Sequence, residues 1–242
     1  FCLSRGLGDV YKRQDMQTKT IKIRKKYVFG FFFFVIAAIT IFMLINAFTE
    51  MNKAAPDPVE NYDNIELIQF EPVGDGAQVA LISTDVGDMK AVLYPDEAPN
   101  AVSLFVSTAE SGGYNGLTAG LYEQKSVFTL DAPEIDGTYK AELHKNLWPF
   151  KGALCMTDGG DIVFINTVQY TDEDKEYLSA EEGEMPEVRH AFYEHGGVPN
   201  YAGQYAVFGQ VFEGVDVLEK IADSEMGTEI AVKSVEILTD SE

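Results

Sequence analysis

Cys2 and Cys155 are the only cysteines of the 242-residue chain, and no Cys-x-x-Cys or Cys/His zinc spacing occurs. A disulfide or zinc framework is therefore excluded as the basis of the fold. Cys155, inside the apolar run Ala153, Leu154 and Met156, is expected to be a small buried hydrophobe. Histidine is scarce too. His144, His190 and His195 are scattered among acids such as Glu187 and Glu194, so we expect no metal site. There is no Gly-rich phosphate loop and no internal repeat. Ser103, Ser107 and Ser111 have no histidine in register, which leaves a serine hydrolase without support. No cofactor is expected.

Cations are scarce where the chain is longest. Residues 1–49 carry eight Lys/Arg against two Asp, a charge of +6, whereas residues 50–242 carry ten against thirty-seven Asp/Glu, a charge of −27. A surface so acidic repels phosphate backbones and anionic lipid, which sets nucleic-acid binding aside.

Between the two halves, Tyr27 to Thr49 is a run of 23 uncharged residues. As a helix it would span roughly 34 Å at about 1.5 Å per residue, enough to cross a bilayer core. Fourteen of its residues are Val, Ile, Leu or Phe. At about −0.4 kcal/mol each, their insertion is worth on the order of 5 kcal/mol before Gly30, Thr40 and Asn46 are counted. Lys19, Lys22, Arg24, Lys25 and Lys26 precede the run. The positive-inside rule keeps them cytoplasmic and sends residues 50–242 out. The expected location is thus the cell membrane, single-pass, with an extracytoplasmic C-terminal domain. The alternative is a cleaved signal peptide, for which Ile45-Asn46-Ala47 offers a site, although such apolar regions are usually about 7–15 residues. Residues 1–15, FCLSRGLGDVYKRQD, resemble translated adapter sequence, so the native chain is expected to start at Met16.

Residues 50–77 hold Pro56, Pro58, Pro72, Gly74 and Gly76 among acids, the composition of a tether, with a short extended piece at Ile65–Phe70. Gln78–Thr84 and Met89–Tyr94 flank a turn at Asp85-Val86-Gly87-Asp88 and predict a hairpin. Pro99 and Asn100 open a helix that Gly112-Gly113 stop. Val127–Leu130, Gly152–Thr157, Ile162–Thr167, Tyr205–Phe212 and Glu229–Leu238 have strand character. Gly214–Ala222 predicts a second helix with Val215, Leu218 and Ile221 on one face. Thr171–Glu194, acidic and broken, is expected as a surface insertion. Many short strands with two isolated helices point to a closed barrel.

The order of these pieces resembles the cyclophilin-type peptidyl-prolyl isomerases. Residues 92–105, VLYPDEAPNAVSLF, are similar to the family's "ELY.D.AP.TV.NF"; residues 113–121, GYNGLTAGL, to "GYY.G..FHRV"; residues 152–157, GALCMT, to "G.LSMA". Residues 160–165, GDIVFI, resemble "GSQFFI", and residues 201–221, YAGQYAVFGQVFEGVDVLEKI, resemble "LDG.YTVFG.V.EGMDVV..I", the most specific block. The resemblance runs from about Gln78 to Leu238. It implies a mainly β fold: a closed eight-stranded antiparallel barrel with two capping helices, here preceded by one transmembrane helix.

The resemblance also implies a site. Prolyl isomerisation must twist an amide over a barrier of about 18–20 kcal/mol. The family does so with an aromatic slot for the proline ring and an arginine donor two residues after a phenylalanine. Phe164, Tyr201 and Tyr205 fall on slot positions, and Phe128 or Val127 falls in the "F.IQ" segment. Met156, Thr157 and Ile162 complete the expected substrate-contact set. Seen alone, each of these is more often core than ligand contact. Ala119, Gly120 and Leu121 stand where Phe, His and Arg are expected, Leu130 or Thr129 replaces a glutamine, and Ile162 replaces another. A loop shifted by a few residues would bring Gln124 or Lys125 to the donor position, although neither matches an arginine fork. Three readings stay open: a weak membrane-anchored isomerase assisting folding, a non-catalytic module binding Pro-containing or extended segments, and an interaction protein using the acidic insertion.

Overall fold

The computed structural model describes residues 36–43, 59, 61–120, 125–131, 139, 141–225 and 227–239. Residues 1–52 and 53–242 form separate compact units. In the first, residues 36–43 are helical, with the Thr40 hydroxyl donating to the Ile36 carbonyl at 2.9 Å. Among the described residues no helix is long and apolar enough to cross a membrane. The rest of the run Tyr27–Thr49 lies outside them, as do residues 1–15.

Among its described residues the second unit holds eight antiparallel strands: β1 Gln78–Thr84, β2 Gly87–Leu93, β3 Ala119–Gly120, β4 Val127–Leu130, β5 Ala153–Met156, β6 Ile162–Ile165, β7 Ala206–Glu213 and β8 Val232–Thr239. Their spatial order is β3-β4-β6-β5-β7-β2-β1-β8. The outer members β3 and β8 nearly close the sheet into a barrel. Thr118 bridges Ala231, and Gly116, Ala119 and Val232 donate backbone bonds to Val232, Ile230 and Leu117 at 2.8 Å. The barrel expected from the sequence is therefore present, and the two-residue β3 is the strand that the sequence pattern did not mark.

Burial follows strand position. In β1 and β2 alternate residues are buried, with Ala80 opposite Ala91 and Ile82 opposite Met89, as one covered face requires. In β4, β5 and β6 every residue is buried, so both faces of that region are covered. The helix α1, Pro99–Glu110, packs on β7 and β8 through Ala101, Val102, Phe105 and Ala109. Its cap residue Ala98 offers no side-chain bond; the Glu142 carboxylate accepts from the backbone N–H of Asn100 and Ala101 instead, placing negative charge at the helix N-terminus.

The expected broken insertion is in fact two helices, α2 Asp172–Leu178 and α3 Pro186–His195. Thr171 and Asp174 form a capping box on α2, a local signal that the acidic composition masked. Arg189 of α3 organises the turn between them: Nε donates to the Glu184 carbonyl at 3.0 Å, Nη1 to Tyr177 at 2.6 Å and Nη2 to Glu182 at 3.0 Å. The pair builds a second core from Trp148, Phe150, Leu178, Val188, Ala191 and Phe192. Gly197 returns the chain beside Phe150 with φ of +133°, where a Cβ would lie 2.4 Å from the Pro149 carbonyl oxygen. The last helix, α4 Val215–Ala222, packs on β2 and β4.

The segment Ile65–Phe70 is not extended. Ile68–Phe70 is a 3-10 turn, and residues 61–70 form a strap fixed to the barrel unit. Gln69 is buried: its Nε2 donates to the Trp148 carbonyl at 2.9 Å and to Gln210 Oε1 at 2.8 Å, and its Oε1 accepts from the Trp148 N–H at 2.7 Å. Further along, the Glu66 N–H donates to Asn146 Oδ1 at 2.9 Å, and Lys145 Nζ reaches the Asp63 carbonyl at 2.5 Å. A glutamine with both ends paired is a two-way bracket between strap and barrel. Replacing Gln69 by Ala leaves the buried Trp148 backbone groups without these partners, each worth about 1–3 kcal/mol. We expect Gln69→Ala to lower stability by about 2 kcal/mol in urea unfolding. The single tryptophan, Trp148, lies in this contact and reports it by fluorescence; an unchanged midpoint would refute the bracket.

Candidate functional site

The expected slot residues sit on three neighbouring strands. Across β4, β6 and β5, Phe128 pairs with Phe164 and Phe164 with Leu154; in the next row Leu130 pairs with Ile162 and Ile162 with Met156. Antiparallel pairing puts all six side chains on one sheet face. The Phe128 and Phe164 rings stack, centroids 4.5 Å apart and 7° from parallel. The structure thus brings Phe128, Met156, Ile162 and Phe164 together. It also buries them: Phe128 is 1% exposed and the other three 0%. They are members of the main core.

The remaining candidates stay half-buried. Thr157 follows β5 and closes a tight turn, its N–H donating to the Asp161 carbonyl at 3.0 Å and its Oγ1 accepting from the Asp161 N–H at 3.1 Å. Tyr201 and Tyr205 meet edge to face at 5.1 Å and 85°, both packed on the main core. The Pro199–Tyr201 turn carries Tyr201, whose N–H donates to Val198 at 3.0 Å. Beside Tyr205 is a cavity of about 20 Å³, room for one water. Tyr205, Val207, Leu147 and Trp148 line it, and Val59 and Tyr62 of the N-terminal stretch complete its wall. Tyr62 lies 5.9 Å from Trp148. This contribution of the presumed tether was missed in the sequence, where Val59 and Tyr62 carry no periodic signal.

The donor positions divide. Leu121 and Gln124 lie outside the described residues. Lys125 is exposed, with φ of +62°, and its carbonyl accepts from Asn166 Nδ2 at 3.1 Å. Arg189 is the one arginine after Arg24 in the sequence. It is buried, with Nε, Nη1 and Nη2 all engaged by the carbonyls of the 177–184 turn.

Two other groups bear on the chemistry. Burial pushes the Cys155 thiol well above its ordinary pKa, so the reactive thiolate is suppressed. Tyr139, which the sequence did not single out, packs on the main core. Burial, helped by the carboxylates of Glu142 and Asp158, raises its hydroxyl well above the ordinary tyrosine range, and the proton stays on. Of the histidines, His195 meets the Phe70 ring at 4.1 Å, tilted by 30°, and His144 Nδ1 accepts from the Asn146 N–H at 3.3 Å. Among the described residues no group of three His, Cys, Asp or Glu side chains is placed to hold a metal ion.

A profile described as "Cyclophilin type peptidyl-prolyl cis-trans isomerase/CLD" matches residues 79–240. The chain belongs to the cyclophilin-type peptidyl-prolyl cis-trans isomerase family. A protein of Staphylococcus saprophyticus, provisionally named a peptidyl-prolyl cis-trans isomerase, is 32% identical over 187 residues, covering 68% of this chain and 94% of the relative. A similarly named Staphylococcus aureus protein is 27% identical over 189 residues with the same coverage. The crystal structure of a cyclophilin-type isomerase from Cryptosporidium parvum shares the fold, with TM-score 0.52 at 18% identity, covering 68% of this chain and 99% of that one. The same Cryptosporidium protein crystallised in the presence of the dipeptide Ala-Pro gives TM-score 0.51. Peptidyl-prolyl isomerisation is the function that this cyclophilin family carries.

Burial decides what a mutation at these positions of the cyclophilin domain does. Phe164→Ala would remove a fully enclosed ring stacked on Phe128, and such truncations cost about 3–5 kcal/mol. We expect a loss in that range by chemical denaturation. A loss under about 1 kcal/mol would mean that the ring faces an open slot instead.

Proposed function

We propose that this cyclophilin is a membrane-anchored, extracytoplasmic protein that binds Pro-containing polypeptide segments and isomerises them slowly. The observation that carries the low rate is the absence of a usable arginine. Leu121 stands at the family's donor position, and Arg189 is held by backbone carbonyls. Only an interaction stronger in the twisted amide than in the planar one accelerates the reaction, and leucine has no donor to make it. Losing a positioned donor elsewhere costs roughly 10²–10³ in rate. The half-buried Tyr201 and Tyr205 offer aromatic surface to a proline ring whether or not turnover follows. A second reading is a pure module binding Pro-containing or extended segments, for which the half-buried Tyr201–Tyr205 pair would serve without a donor.

Support for the anchor is the run Tyr27–Thr49 with its basic flank, Lys19 to Lys26, ahead of a domain of charge −27. Protease added to intact spheroplasts is expected to digest residues 50–242 and spare the basic N-terminus. Protection of the C-terminal domain would refute this orientation.

The rate is tested by NMR exchange on an Ala-Pro peptide. The chain is expected to be at least about a hundredfold slower than an ordinary cyclophilin. Leu121→Arg should raise the rate. Full activity in the unaltered chain would show that another donor, with Lys125 the first to change, has taken the role. An inactive Leu121→Arg chain that still binds peptide would move the donor position to Gln124 or Lys125.

A further inference from the structure

The insertion that the barrel does not need builds a groove next to the candidate site. Helix α2 and the turn Pro199–Tyr201 face each other across about 160 Å³, lined by Val168, Tyr170, Asp174, Tyr177, Pro199 and Asn200. Pro199 and Asn200 of the groove belong to the same turn as Tyr201, which meets Tyr205 at 5.1 Å.

Its walls are built and fixed. The Tyr170 hydroxyl donates to the Gly197 carbonyl at 3.2 Å, which sets the ring. Asp174 Oδ2 accepts from the Thr171 N–H at 2.8 Å and from the Thr171 hydroxyl at 2.7 Å, which locks the first turn of α2. These two bonds hold the Asp174 carboxyl below its ordinary pKa. Arg189 lies over the Tyr177 ring at 5.1 Å, yet the Tyr177 side chain remains 64% exposed. The walls are aromatic and Asp174 brings a carboxylate to them; the surrounding segment, residues 171–195, holds nine acidic side chains against Lys175 and Arg189. Lys175 sits 3.8 Å from Asp172, and Arg189 is engaged by three carbonyls.

We propose that this groove is a specificity subsite for a Lys or Arg side chain flanking the proline of a bound segment. Its aliphatic stem lies along Tyr170 and Pro199, and its charged head meets the Tyr177 ring and the acids of the first α2 turn. Both contacts are ordinary chemistry for a cation: the face of an aromatic ring attracts it, and carboxylates pair with it. The charge decides between occupants, because an acidic or phosphorylated segment would meet repulsion from Asp174 and from the net negative charge of residues 171–195. The inference rests on the reading of Tyr201 and Tyr205 as the proline-binding pair, and names which clients that pair receives.

The test uses the full chain in nanodiscs of zwitterionic lipid, so that the bilayer does not compete for cationic peptides. Binding of a neutral Ala-Pro peptide is compared with peptides carrying one Lys at successive positions before and after Ala-Pro. At least one Lys peptide is expected to bind about fivefold more tightly, with amide shifts at Tyr170, Tyr177 and Asn200. Tyr177→Leu keeps an exposed apolar residue on the helix but removes the ring; it should abolish the gain. Tyr177→Phe should retain it. The inference is overturned if every Lys peptide binds like the neutral one, or if Tyr177→Leu keeps the whole gain, as a diffuse acidic surface would. If only Lys peptides bind, in a Tyr177-dependent way, the groove stands and the proline reading of Tyr201 and Tyr205 falls. If no peptide binds, both fall.

Discussion

Everything in the barrel unit depends on keeping its sheet from having two open edges. An eight-stranded antiparallel sheet that stopped at β3 and β8 would present unpaired backbone groups on both sides. Here the edge is closed by little: the Thr118–Ala231 bridge and three backbone bonds around it. Between these edges β4, β6 and β5 are the most enclosed part of the sheet, and all twelve of their residues are buried. The stacked Phe128 and Phe164 are a consequence of that position. Rings on adjacent strands at directly opposed register have nowhere to point but at each other.

The second constraint is that Trp148 and Phe150 lie outside the barrel's own core. They are covered from two directions, by α2 and α3 and by the strap at residues 61–70. Gln69 joins the strap to β7 through Gln210 and to the Trp148 backbone, so three distant parts of the chain meet at one polar bracket. A bracket of this kind specifies a position more sharply than apolar contact does, because a shifted glutamine leaves buried groups unpaired. The strap therefore ends in one place, and Tyr62 beside Trp148 and the cavity wall at Tyr205 follow from it.

These two constraints set the chemistry. The enclosed strands keep their apolar side chains inside, so the aromatic surface left half-buried among the candidate residues is the Tyr201–Tyr205 pair. Catalysis needs a donor aimed at the twisted state, and the domain's one arginine is assigned to holding the α2–α3 turn. The insertion thus uses the one guanidinium of residues 50–242 for architecture. The same architecture leaves Tyr177 on the surface at the mouth of a groove.

Strand and helix positions were legible because they are written locally. Gln78–Thr84 and Val127–Leu130 show in β-rich runs, and Pro99 and Gly214 mark helix starts by their backbone preferences. The family, too, follows from short motifs in order, such as residues 201–221. What was not legible depends on partners far along the chain. Ala119–Gly120 is a strand only because Leu130 and Thr129 sit opposite. Gln69 looked like part of a polar tether, and becomes a core residue only when Trp148 and Gln210 arrive, 79 and 141 positions away. The acidic stretch 171–195 hid two helices because charge dominates its composition, whereas the apolar residues Leu178, Val188 and Phe192 find their mate in Phe150 and Trp148. The sequence by itself determined the barrel and its family. Tertiary structure alone decided which aromatic side chains are enclosed and which are presented. Burial is a property of what lies on both faces of a strand, and the sequence of that strand states only what lies along it.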